Sequence, residues 1–236
     1  MGCGGEMGLK LIAFDMDGTL TQEPSSWEYI HRRFGVWTGK AEAHMVHFLA
    51  GNITYEEFSI LDAREWQGMP CVEIERVLSE IRYADCAQEA VDAARSLGAS
   101  TALISSGISA LARRVAGDLG IEHVFANELV SRDGVLTGEV VINVSIDEPD
   151  MTKEAVLRRL KIELGVGTDE TWAVGDNWGD IGMLEQAGTA ILVAPTPENR
   201  EKVSAAVPNV VCVPSLCHVV RLVSELRTST PGSSTG

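Results

Sequence analysis

The apolar run Leu11-Ile12-Ala13-Phe14 ends on two carboxylates spaced i, i+2 and a turn signal, Asp15-Met16-Asp17-Gly18-Thr19. A short unbroken apolar run of this kind is expected to form a strand buried on both faces, as in a parallel sheet covered by helices. Ligands in open α/β sheets gather at the carboxyl ends of the strands. Two acids delivered to that end repel each other and lose hydration, so they need a cation or a proton beside them. Magnesium suits the position, because it is hard, takes oxygen ligands and is held by one or two carboxylates together with substrate phosphate. A solvated Asp-Gly turn would look the same locally, so the decision rests on what lies downstream.

A second acidic cluster repeats the pattern. Thr171-Trp172-Ala173-Val174-Gly175 reads as a strand, and Asp176 and Asp180 follow at its end and in the first turn of the next helix. Backbone N–H groups and the helix dipole also favour anions there. Between the clusters lie Ser105-Ser106-Gly107, after a strand expected at 101–104, and Lys153, at the start of a helix expected at 152–164. A hydroxyl, neighbouring N–H groups and one ammonium are suited to the non-bridging oxygens of a phosphate.

These four elements in this order resemble the haloacid dehalogenase (HAD) superfamily of phosphohydrolases. The motifs are D-x-D-G-T-L, a Ser after a hydrophobic strand, an isolated Lys and G-D-x-x-x-D. Within the superfamily the chain is most similar to the phosphoserine phosphatase-like branch. The similarity rests on the long insert after the first motif, on Phe125-Ala126-Asn127-Glu128-Leu129 leading into Arg132-Asp133-Gly134-Val135-Leu136-Thr137-Gly138, and on the fourth motif, and it spans residues 9–226.

The rest of the chain agrees. Strands alternate with helices at 100–104 and 109–119, 171–174 and 180–187, 189–193 and 198–206, and 209–213 and 216–227, which predicts a doubly wound, Rossmann-like α/β core. Residues 128–143 read as a hairpin turned at Asp133-Gly134. Four amphipathic helices are expected at 25–34, 39–49, 54–66 and 71–83, the third opened by a Thr54-x-x-Glu57 capping box. This gives a core of 1–22 and 86–227, a small all-helical cap at 23–85 and a flexible tail at 228–236. Residues 1–6 read as disordered, with Met7 an alternative start.

Composition sets bounds. With 236 residues and 45% hydrophobic content the chain can bury a sizeable core. A formal charge of −15 argues against nucleic acid and anionic membranes as partners, and leaves the capture of a phosphate dianion to local charges. No apolar run reaches the length of a membrane span and no signal region opens the chain, so a cytoplasmic protein is expected. Its five cysteines (Cys3, Cys71, Cys86, Cys212 and Cys217) are odd in number and scattered, and are expected to be reduced thiols. Cys212, Cys217 and His218 lack a fourth metal ligand nearby.

The resemblance implies a magnesium-dependent phosphomonoester hydrolase working through an aspartyl phosphate on a small phosphorylated metabolite. Asp15 is then the nucleophile and Asp17 the general acid and base. Ser105, Ser106, Gly107 and Lys153 grip the phosphoryl oxygens. Asp15, Asp176 and the Asp17 carbonyl hold Mg2+, with Asp180 a direct or water-mediated ligand. A phosphotransferase or mutase of the same superfamily, or a non-catalytic phosphate-binding module, are the alternatives. The family's phosphoserine-binding acid and arginine fall nearest Glu23 and Arg64, but Pro24 and Asp62 occupy the matching positions, and Trp178 and Gly179 depart from the fourth motif. Trp27, Tyr55, Phe58 and Trp66 are candidates for a stacking pocket, and His44 and His47 read as a half-exposed pair.

Overall fold

The computed structural model describes residues 8–229. In chain order the elements are β1 (Leu11–Phe14), α1 (Ser26–Arg33), α2 (Glu42–Leu49), α3 (Tyr55–Arg64), α4 (Cys71–Ser79), α5 (Ala87–Ser96), β2 (Ser100–Ile108), α6 (Ser109–Leu119), β3 (His123–Arg132), β4 (Val135–Val141), α7 (Lys153–Leu164), β5 (Thr171–Gly175), α8 (Ile181–Glu185), β6 (Thr189–Val193), α9 (Pro197–Ala206), β7 (Val211–Val213) and α10 (Leu216–Ser229). The seven strands order as β4-β3-β2-β1-β5-β6-β7. All pairings are parallel except that of β3 with the edge strand β4.

β1 shows why its residues are all apolar. Leu11 and Ala13 pack with α7, α8 and α9 on one face, while Ile12 and Phe14 pack with α5, α6 and α10 on the other. Burying the larger of these, Leu11, Ile12 and Phe14, contributes about 1.5–3 kcal/mol each. The chain winds outward from β1 through β2 to β3, then returns to place β5 on the other flank of β1. The crevice between β1 and β5 is therefore the switch point at which such sheets bind ligands.

α1 to α4 all fall between β1 and α5, and Trp27, Ile30, Trp66 and Val77 join the apolar cluster that covers Ile12 and Phe14. The Thr54 capping box is formed, with the Thr54 hydroxyl accepting from Glu57 N–H and the Glu57 carboxylate from Thr54 N–H. At the β3–β4 turn, Asp133 and Gly134 both take positive φ (52° and 77°), the backbone of the tight hairpin turn that an Asp-Gly pair favours.

Three expectations need correction. β2 runs on to Ile108, with a register irregularity against β3 between Ile104 and Ile108, so Ser105-Ser106-Gly107 lies within the strand and not after it. α5 occupies 87–96, for which no element was expected. Cys86 and Cys217 form a disulfide with a Cα–Cα distance of 5.1 Å; their thiols are not reduced, because α5 packs against α10 and brings the two starts together. Cys71 and Cys212 are free. Cys3, the start expected to be disordered and the tail from 230 onward lie outside the described residues, while α10 carries the chain to Ser229. No helix among the described residues is long and apolar enough to cross a membrane.

Candidate active site

Register brings the first and fourth motifs together. Phe14 pairs with Leu103 on one side and Val174 on the other, so the next residue of each strand opens onto the same end of the sheet. Asp15 N–H donates to the Val174 carbonyl (2.9 Å). The chain then turns sharply through Met16–Leu20, with Gly18 at φ 81°. A side chain at Gly18 would carry its first carbon to 2.5 Å from Asp176 Oδ2, so close approach and a left-handed backbone both require glycine. Gly107 is needed for space alone, since a first side-chain carbon there would lie 2.6 Å from Asp17 Oδ2.

Asp15, Asp176 and Asp180 can each offer an oxygen within 4.8 Å of the others. One cation answers them: Lys153 Nζ donates to Asp15 Oδ1 and to Asp180 Oδ1, both at 2.6 Å. Three carboxylates against one ammonium leave two negative charges unmet when all are ionised. Burial, then the charges of Asp180 and Asp176, raise the Asp15 pKa well above the ordinary carboxylate range against the pull of Lys153. Burial and Asp180 push Asp176 up to about 7. Burial alone would lower the Lys153 pKa, but Asp15 and Asp180 override it and hold the ammonium firmly charged. A hard divalent cation would meet the remaining charge, and the all-oxygen donor set fits one.

Asp180 also orders its loop. Its Oδ2 accepts from the N–H groups of Asp176 (3.0 Å) and Asn177 (3.2 Å). Asn177 Nδ2 donates to Asp176 Oδ1 (2.8 Å). Asp17 faces α1, and its Oδ2 accepts from Ser26 N–H (3.0 Å) and Ser26 Oγ–H (2.7 Å). Burial raises its pKa against those two bonds, which favours a carboxyl able to carry a proton.

A cavity of about 290 Å³ opens over these groups, with Asp15, Asp17, Ser105, Ser106, Gly107 and Lys153 on its wall. The Ser105 hydroxyl oxygen accepts from Gly107 N–H (3.0 Å), which leaves its proton free to donate.

The sequence from 12 to 185 matches the family described as haloacid dehalogenase-like hydrolase. The chain belongs to this family. Among curated haloacid dehalogenase-like relatives, it is 29% identical over 194 residues to phosphoserine phosphatase of Methanocaldococcus jannaschii, covering 82% of this chain and 89% of that one. To phosphoserine phosphatase of Idiomarina loihiensis it is 32% identical over 183 residues, covering 77% and 80%. A substrate-bound phosphoserine phosphatase complex superimposes with a TM-score of 0.73 at 24% identity, over 91% of this chain and 98% of that one. This last likeness is one of fold.

Against that family pattern, the two insert residues expected to contact substrate lie elsewhere. Arg64 sits at the end of α3 and lines a separate groove with Gly138 and neighbours on β4, because it projects half a turn from the face that meets the cavity. Glu23 is absent from the cavity wall, where Pro24 and Ser25 stand instead; its carbonyl accepts from Gly18 N–H. Asp62 is buried inside the insert between His31 Nε2 (3.2 Å) and His44 Nδ1 (3.1 Å). His44 is thus tied to Asp62, and of the expected half-exposed pair His47 alone is exposed. Trp27, Tyr55 and Phe58 reach the cavity, whereas Trp66 lies behind, stacked on Trp27 with ring centroids 5.5 Å apart.

Several site residues escaped the sequence reading. Ser26 holds Asp17, and its signal was the Ser25-Ser26 pair at a helix start, where one serine caps and the next is free to bond. The Ser106 carbonyl accepts from Trp27 Nε1 (3.1 Å), Tyr55 Oη (2.6 Å) and Asn127 Nδ2 (2.9 Å). No local pattern announces that convergence, since the donors come from α1, α3 and β3.

Proposed function

We propose that this chain is a magnesium-dependent phosphomonoester hydrolase that works through an aspartyl phosphate on Asp15, with residues 23–85 acting as its cap. The observation that carries the reading is the meeting of Asp15, Asp17, Ser105 and Lys153 at the floor of one cavity, beside a cluster of acids whose charge calls for a cation. Asp15 and Asp176 would hold magnesium by side chain and Asp17 by its carbonyl, with Asp180 a direct or water-mediated ligand. Magnesium bound there would neutralise and orient the carboxylate and phosphoryl group as they approach.

The residues then divide the work. An Asp15 oxygen bonds to phosphorus as the ester P–O bond breaks. The departing oxygen takes the proton carried by Asp17. Water next attacks the phosphorus of the aspartyl phosphate, giving its proton to Asp17 and releasing Asp15 and inorganic phosphate. The Ser105 hydroxyl and the Lys153 ammonium hold the non-bridging oxygens through both steps. Seated on Ser106 through Trp27 and Tyr55, the cap limits competing water. The test is phosphate release from small phosphomonoesters. Asp15→Asn should abolish turnover with folding intact, and EDTA should silence the enzyme until magnesium is restored. Turnover that survives the substitution, or that ignores chelation, would contradict the assignment.

A further inference from the structure

The wall of the cavity opposite the acids has an unexpected composition. α2 contributes Met45, Phe48 and Leu49, α3 contributes Tyr55 and Phe58, and α1 contributes Trp27. Among the described residues, the charged side chains on the cavity wall are Asp15, Asp17 and Lys153, and all three belong to the phosphate end. The insert's own charged side chains lie off this wall. Arg32, Arg33, Lys40 and Arg76 pair with insert acids, Asp62 is enclosed by two histidines, and Arg64 lies in the groove against β4. The polar atoms of the aromatic residues are occupied too. Trp27 Nε1 and Tyr55 Oη both donate to the Ser106 carbonyl, and the buried Tyr55 phenol stays neutral, its pKa pushed up to about 12. What these residues offer a ligand is ring face. On the core side Ile146 and the 40% exposed Trp178 continue the apolar wall.

Resting on the phosphatase reading above, we propose that the physiological substrate is the phosphate ester of an uncharged, apolar alcohol, with an aromatic or branched hydrocarbon group seated among Phe48, Leu49, Phe58 and Trp178. An amino-acid ester such as phosphoserine brings an ammonium and a carboxylate, and both would be desolvated here without a partner. The carboxylate would also enter the field of a chain of net charge −15. Aromatic faces alone can hold a cation, but Met45, Leu49 and Ile146 interleave with the rings and offer aliphatic contact, which suits a neutral group.

Benzyl phosphate and L-phosphoserine share the phosphoryl group and an alkoxide leaving group, so the pair isolates recognition from reactivity. With magnesium present, kcat/KM for benzyl phosphate should exceed that for L-phosphoserine at least tenfold. The surface variant Leu49→Arg, at a position 64% exposed and so tolerant of change, should narrow that ratio severalfold by supplying a carboxylate partner. A preference for L-phosphoserine or for phosphocholine would overturn the proposal, as would an unchanged ratio in Leu49→Arg. Calorimetry with benzylphosphonate against 2-amino-3-phosphonopropanoate keeps the two readings apart. If no ester is hydrolysed, the phosphatase reading fails, and the tighter-binding phosphonate still decides what the cavity accepts. Tighter binding of the amino-acid phosphonate would overturn the proposal on its own.

Discussion

At the residue scale, the site is governed by a surplus of negative charge. Lys153 answers Asp15 and Asp180 directly, and Asp176 is left with a pKa near 7, raised chiefly by burial and by Asp180. The sign follows from the raised value. A carboxyl whose folded pKa lies above its unfolded one costs stability as pH climbs from the ordinary carboxylate range towards 7, and that cost is absent in acid. A bound cation favours the ionised form, so magnesium must displace a proton below neutrality. The apparent Kd for magnesium should therefore rise by about fivefold as pH falls from about 7 to about 6, approach tenfold per unit below that, and level off above neutrality. Isothermal calorimetry on metal-stripped protein reads this directly; a Kd unchanged across that range would remove Asp176 from the metal's ligands. Asp15, Asp17, Asp176, Asp180, Ser105 and Lys153 were all legible in the sequence, since their chemistry travels in short motifs. Ser26 and Asn177 were not, because a residue that orients a carboxylate needs only one hydrogen bond and leaves little pattern.

At the scale of elements, the sheet was legible because strand and helix periods alternate along the chain, and its parallel strands need apolar residues on both faces. Strand ends were less so: β2 continues through Ser105-Ser106-Gly107 because pairing with β3 resumes at Ile108, a long-range contact that local pattern does not carry. The sequence placed Glu23 and Arg64 one and two residues away from the matching positions, and the structure sets both off the cavity wall. Helix content of the insert follows from spacing, whereas the face each helix shows the sheet depends on packing among α1, α3 and β4. Tyr55, at the start of α3, is the clearest case. Its hydroxyl donates to Ser106 and accepts from Asn127 Nδ2 (3.0 Å), and Asn127 in turn binds the N–H groups of Asn143 and Val144 through its Oδ1. Tyr55→Phe should lower stability by about 1 kcal/mol, since it removes the hydroxyl's hydrogen bonds while the Ser106 carbonyl keeps Trp27 and Asn127 as donors and Asn127 Nδ2 keeps the Val144 carbonyl. For a chain of this length that is a fall in Tm of roughly 2–4 °C for each kcal/mol. A melting curve identical to wild type would show that this contact does not anchor the insert.

At the scale of the whole molecule, the Cys86–Cys217 bridge joins residues 131 apart in sequence. No spacing rule could pair them, since among scattered cysteines partnership is set by which helices the fold places side by side. A crosslink closing so long a loop restricts the unfolded chain and typically contributes 2–5 kcal/mol. The Cys86→Ser, Cys217→Ser double variant should melt roughly 5–15 °C below the oxidised protein. Non-reducing peptide mapping should recover the two cysteines in one linked pair; equal melting temperatures would mean the bridge constrains nothing.

The central claim is that Asp15 carries the phosphoryl group between substrate and water. The protein should be mixed with magnesium and excess p-nitrophenyl phosphate, quenched in acid during turnover and mapped by peptide mass spectrometry. The account predicts a phosphoryl group on Asp15, absent from Asp15→Asn and from a sample quenched after substrate is exhausted. Phosphorylation of a different residue, or none during rapid turnover, would contradict it.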